Sequence, residues 1–335
     1  MFFKNLVAVD RPNKKWDLLL QGGNLTVRTN RLFNASHRFF TIGSCFAEEV
    51  RKALTANNIV CYPEYRRIRV DHARMRVDTL PAREHMNYYN TFSIRQEIER
   101  AAGLWVQDRH DIWEVPKRVL VNGIQQPGEG TLYQDPYRRL VFGKTPDDLW
   151  EALDQINVVI RDGLLNADAC FITLGMTEVF KKKNNGLVCN QIPVYAGGAG
   201  LRETYFHQSS FAENYDNMKR ALTLLKQMNP RIQVVLTVSP VPLERSFNEY
   251  DVFVGNMESK TTLRAVAAQI CREYDWVHYF PSFEIVWGIG RPAYQADMVH
   301  VNPKVVEAII GLFMASHFTD QAGAQPAPEP AVAQA

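Results

Sequence analysis

Apolar and polar positions follow two rhythms along this chain. Short β-branched and aromatic runs read as strands at 38–42, 58–62, 168–174, 232–238 and 276–280. Stretches with apolar residues three and four apart read as helices at 46–56, 92–103, 146–162, 211–228, 257–274 and 303–316. In the fifth of these, Leu263, Val266, Ala267 and Ile270 form a stripe that faces a core. Strands alternating with helices predict an α/β fold, with a parallel sheet covered on both faces.

Other stretches break the rhythm. Residues 1–35 are polar and turn-rich, which predicts a leading arm. The segment 104–145 holds Trp105, Trp113, Tyr133 and Tyr137 and a Pro/Gly-rich turn from Gln126 to Gly130. It reads as an inserted hairpin or cap, its aromatics filling the core of the insertion. Lys181-Lys182-Lys183 reads as a solvated loop before Asn184-Asn185-Gly186. Gly197-Gly198-Ala199-Gly200 follows no clear strand and opens no helix, so it is not a nucleotide fingerprint. Pro326, Pro328 and Pro330 among Ala and Gln predict a disordered tail over 319–335. One main domain then spans 36–318.

Composition narrows the function classes. The chain has 335 residues, 46% hydrophobic and 22% charged, ample for a large core. A formal net charge of +2 gives no electrostatic case for nucleic acid. The five cysteines, 45, 61, 170, 189 and 271, are odd in number and lack a CxxC pair. That argues against a disulfide framework and a structural zinc site, and free thiols fit a reducing compartment. The start, Met1-Phe2-Phe3-Lys4-Asn5-Leu6, turns polar too soon for a signal peptide, and no stretch reaches membrane-spanning length. The expectation is a cytoplasmic protein with no cofactor and no nucleic-acid or membrane partner.

Candidate chemistry gathers at strand ends. The run from Phe39 to Val50 is a strand, a glycine, then Ser44 and Cys45 opening an amphipathic helix. Nucleophiles sit at such turns, where helix N–H groups hold an anion and lower a thiol pKa. Ser is also a common N-cap and Cys a small apolar residue, so the pair alone decides nothing. A second strand delivers Gly175, Met176, Thr177 and Glu178 to the same kind of edge, and a third delivers Ser239. Asp297-Met298-Val299-His300 precedes Asn302-Pro303 and the last helix. An Asp three residues before a His can hold Nδ1–H while Nε2 faces a nucleophile.

In order, these blocks resemble the GSCFA family, whose five letters stand here at Gly43 to Ala47. The likeness runs over about residues 30–315, through Tyr89-Asn90-Thr91, Thr173 to Glu178, Thr237 to Leu243, Tyr279 to Glu284 and Asp297 to His300. That family is similar to the SGNH hydrolases. The resemblance implies a flavodoxin-like three-layer α/β/α sandwich and an esterase-type site for a small-molecule or carbohydrate ester. By that likeness Cys45 takes the nucleophile position, with Ser44 beside it, His300 is the base and Asp297 its orienter. Thr177 and Glu178 replace the SGNH Asn and Asp of the third block. An oxyanion donor must then come from Asn90, from the Cys45 N–H or from the Thr177 hydroxyl. The alternatives are an O-acyltransferase of polysaccharide modification, which uses the same residues, and a non-catalytic glycan-binding module, in which Trp105, Trp113, Tyr133 and Tyr137 stack on sugar rings.

Overall fold

Strands buried on both faces carry apolar side chains in every position, and the runs above are of this kind. The computed structural model describes residues 3–69, 86–121, 124–193 and 197–319. The chain opens with β1 (Asn5–Val9), α1 (Trp16–Gly22), β2 (Asn24–Arg28), β3 (Phe39–Gly43), α2 (Cys45–Ala56) and β4 (Cys61–Tyr62). There follow α3 (Thr91–Ala101), β5 (Trp113–Val121), β6 (Ile124–Gln134), β7 (Phe142–Gly143), α4 (Pro146–Asn166) and β8 (Ala169–Leu174). The remainder comprises β9 (Glu178–Lys182), β10 (Val188–Cys189), α5 (Gly197–Glu203), β11 (Thr204–Gln208), α6 (Phe211–Met228), β12 (Gln233–Val238), α7 (Val252–Glu273), β13 (Val277–Tyr279), α8 (Ser282–Ile289) and α9 (Pro303–His317).

The five expected strands make one parallel sheet in the order β13-β12-β8-β3-β4. The chain winds outward in opposite directions from the β3–β8 pair. Alternate side chains divide between two cores, as the strand period requires. Phe40 and Ile42 of β3 and Cys170, Ile172 and Leu174 of β8 pack with α3, α4, α6 and α7. Phe39, Ala169 and Phe171 pack with α2, α8 and α9. The fold is therefore mixed α/β, a parallel sheet with helices on both faces.

Local chemistry sets the helix starts. Thr145 and Asp148 form a capping box on α4, and Ser210 and Glu213 form one on α6. Asp251 caps α7 by accepting from Phe253 N at 2.8 Å. That cap starts the helix at Val252, ahead of the apolar stripe, because Val252, Phe253 and Val254 are exposed and carry no periodic signal.

Several expectations differ from the structure. The N-terminal arm instead contains β1, α1 and β2, and Phe3, Val27 and Phe33 enter the core under α8 and α9. The insertion is a hairpin of β5 and β6 joined by β7, but Gln126–Gly130 runs inside β6 rather than forming its turn. Lys181 and Lys182 belong to β9, and Lys182 is buried against Asp111 and Glu203. Gly197 does open a helix, the short α5. The Pro-rich tail lies outside the described residues. Among those residues no helix is long and apolar enough to cross a membrane.

His317, in the last turn of α9, is fully buried among Phe33, Phe280 and Phe313. Burial holds its pKa down from 6.5 to about 3, with His278 adding to the effect. As pH falls below 6.5 the unfolded chain takes up this proton and the folded one does not. The wild type should therefore lose stability progressively between pH 6.5 and about 3, at up to about 1.4 kcal/mol per pH unit from this group. Denaturant titrations at neutral and mildly acidic pH should show a larger loss for the wild type than for His317→Gln. Equal losses would contradict the assignment.

Candidate active site

Glycine is required where β3 meets β8. Gly43 has φ 134°, and a Cβ there would collide with the backbone oxygen and the hydroxyl of Thr173. This close approach lets Ser44 N donate to Thr173 O at 3.2 Å and places the two hydroxyls 3.0 Å apart. Ser44 Oγ also accepts from Phe46 N at 3.4 Å and so caps α2. With 3% of its surface exposed, Ser44 is committed inside the protein. Cys45, the first residue of α2, is half-buried, so of the two it is the one a substrate can reach.

The thiol's environment differs from the expectation of a lowered pKa. Burial pushes Cys45 above its ordinary value, with Lys260 pulling it down, Glu48 pushing it up, and its own backbone N–H and Arg139 pulling it down. Desolvation outweighs the helix N-terminus because the side chain lies at the edge of the core.

Lys260 is the residue the sequence reading missed. It comes from α7 and is only 1% exposed. Its ammonium donates to Gly175 O at 2.8 Å and to Val241 O at 2.7 Å, the turns that leave β8 and β12. Burial pushes its pKa down to about 7, and the Cys45 charge raises it. A signal was present: Lys260 stands three residues before Leu263 and seven before Ala267, on the apolar stripe of that helix.

A strap crosses the carboxyl edge above β3 and β8. Tyr88 N donates to Gly43 O at 2.7 Å, and Gly175 N and Met176 N donate to Tyr89 O at 3.0 and 2.9 Å. Gly175 allows this approach, since a Cβ there would stand 2.6 Å from Tyr89 O. Asn90 follows at once. Its Oδ1 accepts from Ser93 N at 2.9 Å and Ser93 Oγ at 3.0 Å, capping α3. That leaves Nδ2 with no partner among the described residues.

Asp297 and His300 form their pair, with Nδ1 2.6 Å from Asp297 Oδ2. Asp297 also accepts from the backbone N–H groups of Val299 and His300. These bonds, the imidazole's first, hold its carboxyl down to about 2. The pair precedes α9, whose far end stacks Phe318 on Phe39 at the start of β3. The helix thus runs back along the sheet, and the pair stands on the carboxyl-edge side. The imidazole is exposed, 68% of its side-chain surface, and makes no hydrogen bond to Cys45 or Ser44.

The remaining candidates hold structure. Thr177 is fully buried, its hydroxyl 2.9 Å from Ser259 Oγ and accepting from Gln208 Nε2, which removes it as an oxyanion donor. Glu178 binds Ser246 Oγ at 2.6 Å and Phe247 N at 2.7 Å and fixes that loop. Ser239 Oγ accepts from Val241 N at 3.3 Å in the turn after β12. Trp113 and Tyr137 are buried in the insertion, out of reach of a sugar ring. Trp105 and Arg100 border a cleft of about 330 Å³ between α3 and α4, which Cys45, Ser44, Asp297 and His300 do not line. Among the described residues no group of three or more His, Cys, Asp or Glu stands where it could hold a metal ion.

The sequence model of the GSCFA family matches residues 38–313. No curated protein matches the chain.

The β3–β8 contact can be tested by adding one methyl group. Gly43→Ala carries both a backbone strain and a collision, whereas Gly103, at φ 76°, has open space around it. Denaturant unfolding should give a loss of about 3 kcal/mol for Gly43→Ala against about 1 kcal/mol for Gly103→Ala. Equal losses would show that the approach to Thr173 is not tight.

Proposed function

This chain belongs to the GSCFA family, and we propose that it is a Cys45-dependent ester hydrolase on a flavodoxin-type sheet like that of the SGNH hydrolases. In chain order the sheet strands read 2-1-3-4-5 across the sheet, the flavodoxin order. Ligands of such sheets bind outside the carboxyl ends of the strands where the winding reverses. Here that point lies between β3 and β8, where Cys45 and Gly175 stand. The observation that carries the reading is a reachable thiol at this point with a buried lysine acting on it.

In the proposed reaction the Cys45 proton passes to His300 Nε2, and the thiolate attacks the acyl carbonyl. The carbonyl oxygen takes up the charge and is met by the Cys45 N–H and by Asn90 Nδ2. Each such donor is worth about 3 kcal/mol in comparable sites. The alcohol leaves with the proton from His300; water then attacks the thioester, losing its proton to His300, and the C–S bond breaks as His300 returns that proton to the Cys45 sulfur. Asp297 remains ionised throughout and stabilises the imidazolium. Lys260 favours the thiolate as it forms, because its positive charge lowers the cost of negative charge on Cys45. This reaction requires His300 Nε2 at the thiol, whereas in the structure the exposed imidazole bonds Asp297 and not Cys45. An O-acyltransferase would run the same first half, with a sugar hydroxyl replacing water.

Hydrolysis of an aryl acetate tests the assignment. Cys45→Ala should lower kcat by about 10³-fold or more, and Ser44→Ala by less than about tenfold. His300→Ala should lower kcat strongly while leaving the fold intact. If Ser44 proves indispensable and Cys45 replaceable, the nucleophile is wrong. A wild type that turns over no ester and forms no acyl-Cys45 leaves the glycan-binding module as the better reading.

A further inference from the structure

Two adjacent arginines in the loop after β6 have opposite fates. Arg138 is fully buried and forks onto Glu97, Nε to Oε2 at 2.9 Å and Nη2 to Oε1 at 2.5 Å. Arg139 is half-buried, and among the described residues no carboxylate stands within ion-pair distance of it. The loop that carries it is rigidly placed. Tyr137 N donates to Asp135 Oδ1 at 3.0 Å, Asp135 N to Val141 O at 3.1 Å, and Asn190 N to Pro136 O at 3.0 Å. Asn190 Nδ2 in turn donates to Asn87 O at 2.6 Å, which ties the loop to the strap over the sheet edge. Leu140, at φ 60°, turns the chain sharply right after Arg139.

This scaffold holds the Arg139 guanidinium 5.6 Å from the centre of the Tyr89 ring. The Tyr89 carbonyl is the one bonded to Gly175 N and Met176 N, so the ring under the cation belongs to the strap that crosses this sheet edge. Arg139 favours charge on the Cys45 sulfur and Glu48 opposes it, and Glu48 pairs with Lys52 at 3.2 Å. A guanidinium over an aromatic face, its fork of N–H donors without a partner among the described residues, matches the geometry of a bidentate carboxylate or phosphate.

We propose that Arg139 anchors an anionic group of the substrate, a carboxylate or a phosphate, beside the carbonyl that Cys45 attacks. The substrate is then an ester that carries such a group on its acyl or its alcohol side. This deepens the hydrolase reading and rests on it for the word substrate, whereas the anion subsite itself can be read without turnover.

Iodoacetate and iodoacetamide react alike with a thiol and differ by one negative charge. Their rates at Cys45, followed peptide by peptide in the intact protein, give a ratio that cancels any change in thiol reactivity. In Arg139→Gln that ratio should fall about fivefold or more, the loss of one charge-assisted contact. Arg139→Lys should keep most of it, and Cys271 in the same molecules should show no change. Succinate and inorganic phosphate serve as protectants against iodoacetamide. The one that slows the wild type but not Arg139→Gln identifies the anion as carboxylate or phosphate. An unchanged ratio in Arg139→Gln overturns the subsite. A wild type inactive on every ester sinks the hydrolase reading, and the ratio still decides the subsite.

Discussion

A lysine ammonium buried behind the sheet edge is the constraint on which this site depends. An ammonium has three donors and a charge, and both are costly to strip of water. Lys260 meets two of these donors with Gly175 O and Val241 O, which belong to the turns leaving β8 and β12. One side chain thus fixes two of the turns that shape the carboxyl edge. Lys260 and Cys45 each favour the other's charged form, while burial disfavours charge on both. The thiol is pushed up and the amine down to about 7, so the resting pair is drawn toward its neutral forms. Charge on the sulfur is favoured by Lys260, which suits the nucleophile role proposed for Cys45.

Around that constraint the edge is assembled from close approaches rather than from many side-chain contacts. Gly43 lies against Thr173, Gly175 lies under Tyr89, and the strap from Tyr88 to Asn90 closes over both. The insertion then reaches back through Asn190 and Asn87 and sets Arg139 over Tyr89. Without its glycines the edge would open, because a Cβ at Gly43 or Gly175 would push Thr173 or Tyr89 away from it.

The sheet and its helices were legible because their signals are local. Buried strands such as 169–174 are continuous apolar runs, and α6 begins at a capping box and keeps its stripe to Met228. The small sheets were not legible. β9 carries Lys181 and Lys182, and its polar sequence is held as a strand by pairing with β10 and β11, with Asp111 and Glu203 neutralising the buried Lys182. In the site, Ser44 and Cys45 were found from their turn, but which is reachable depends on Thr173, 129 positions away. The Asp297–His300 pair is local and was read from spacing. Thr177 was misjudged because its partners, Gln208 and Ser259, come from distant elements. Lys260 left a trace on an apolar stripe, whereas nothing in Arg138-Arg139 says which of the two is neutralised.

The pH dependence of Cys45 alkylation in the wild type and in Lys260→Met tests the central claim most directly. The two groups are coupled, so the wild-type midpoint should lie above that of a free thiol, and removing the lysine should move it further up. Cys271, whose thiol burial pushes up to about 11, provides a reference in the same molecules. It should not move, which also shows that the variant is folded. A Cys45 midpoint that stays in place or falls in Lys260→Met, with Cys271 unchanged, would contradict the account.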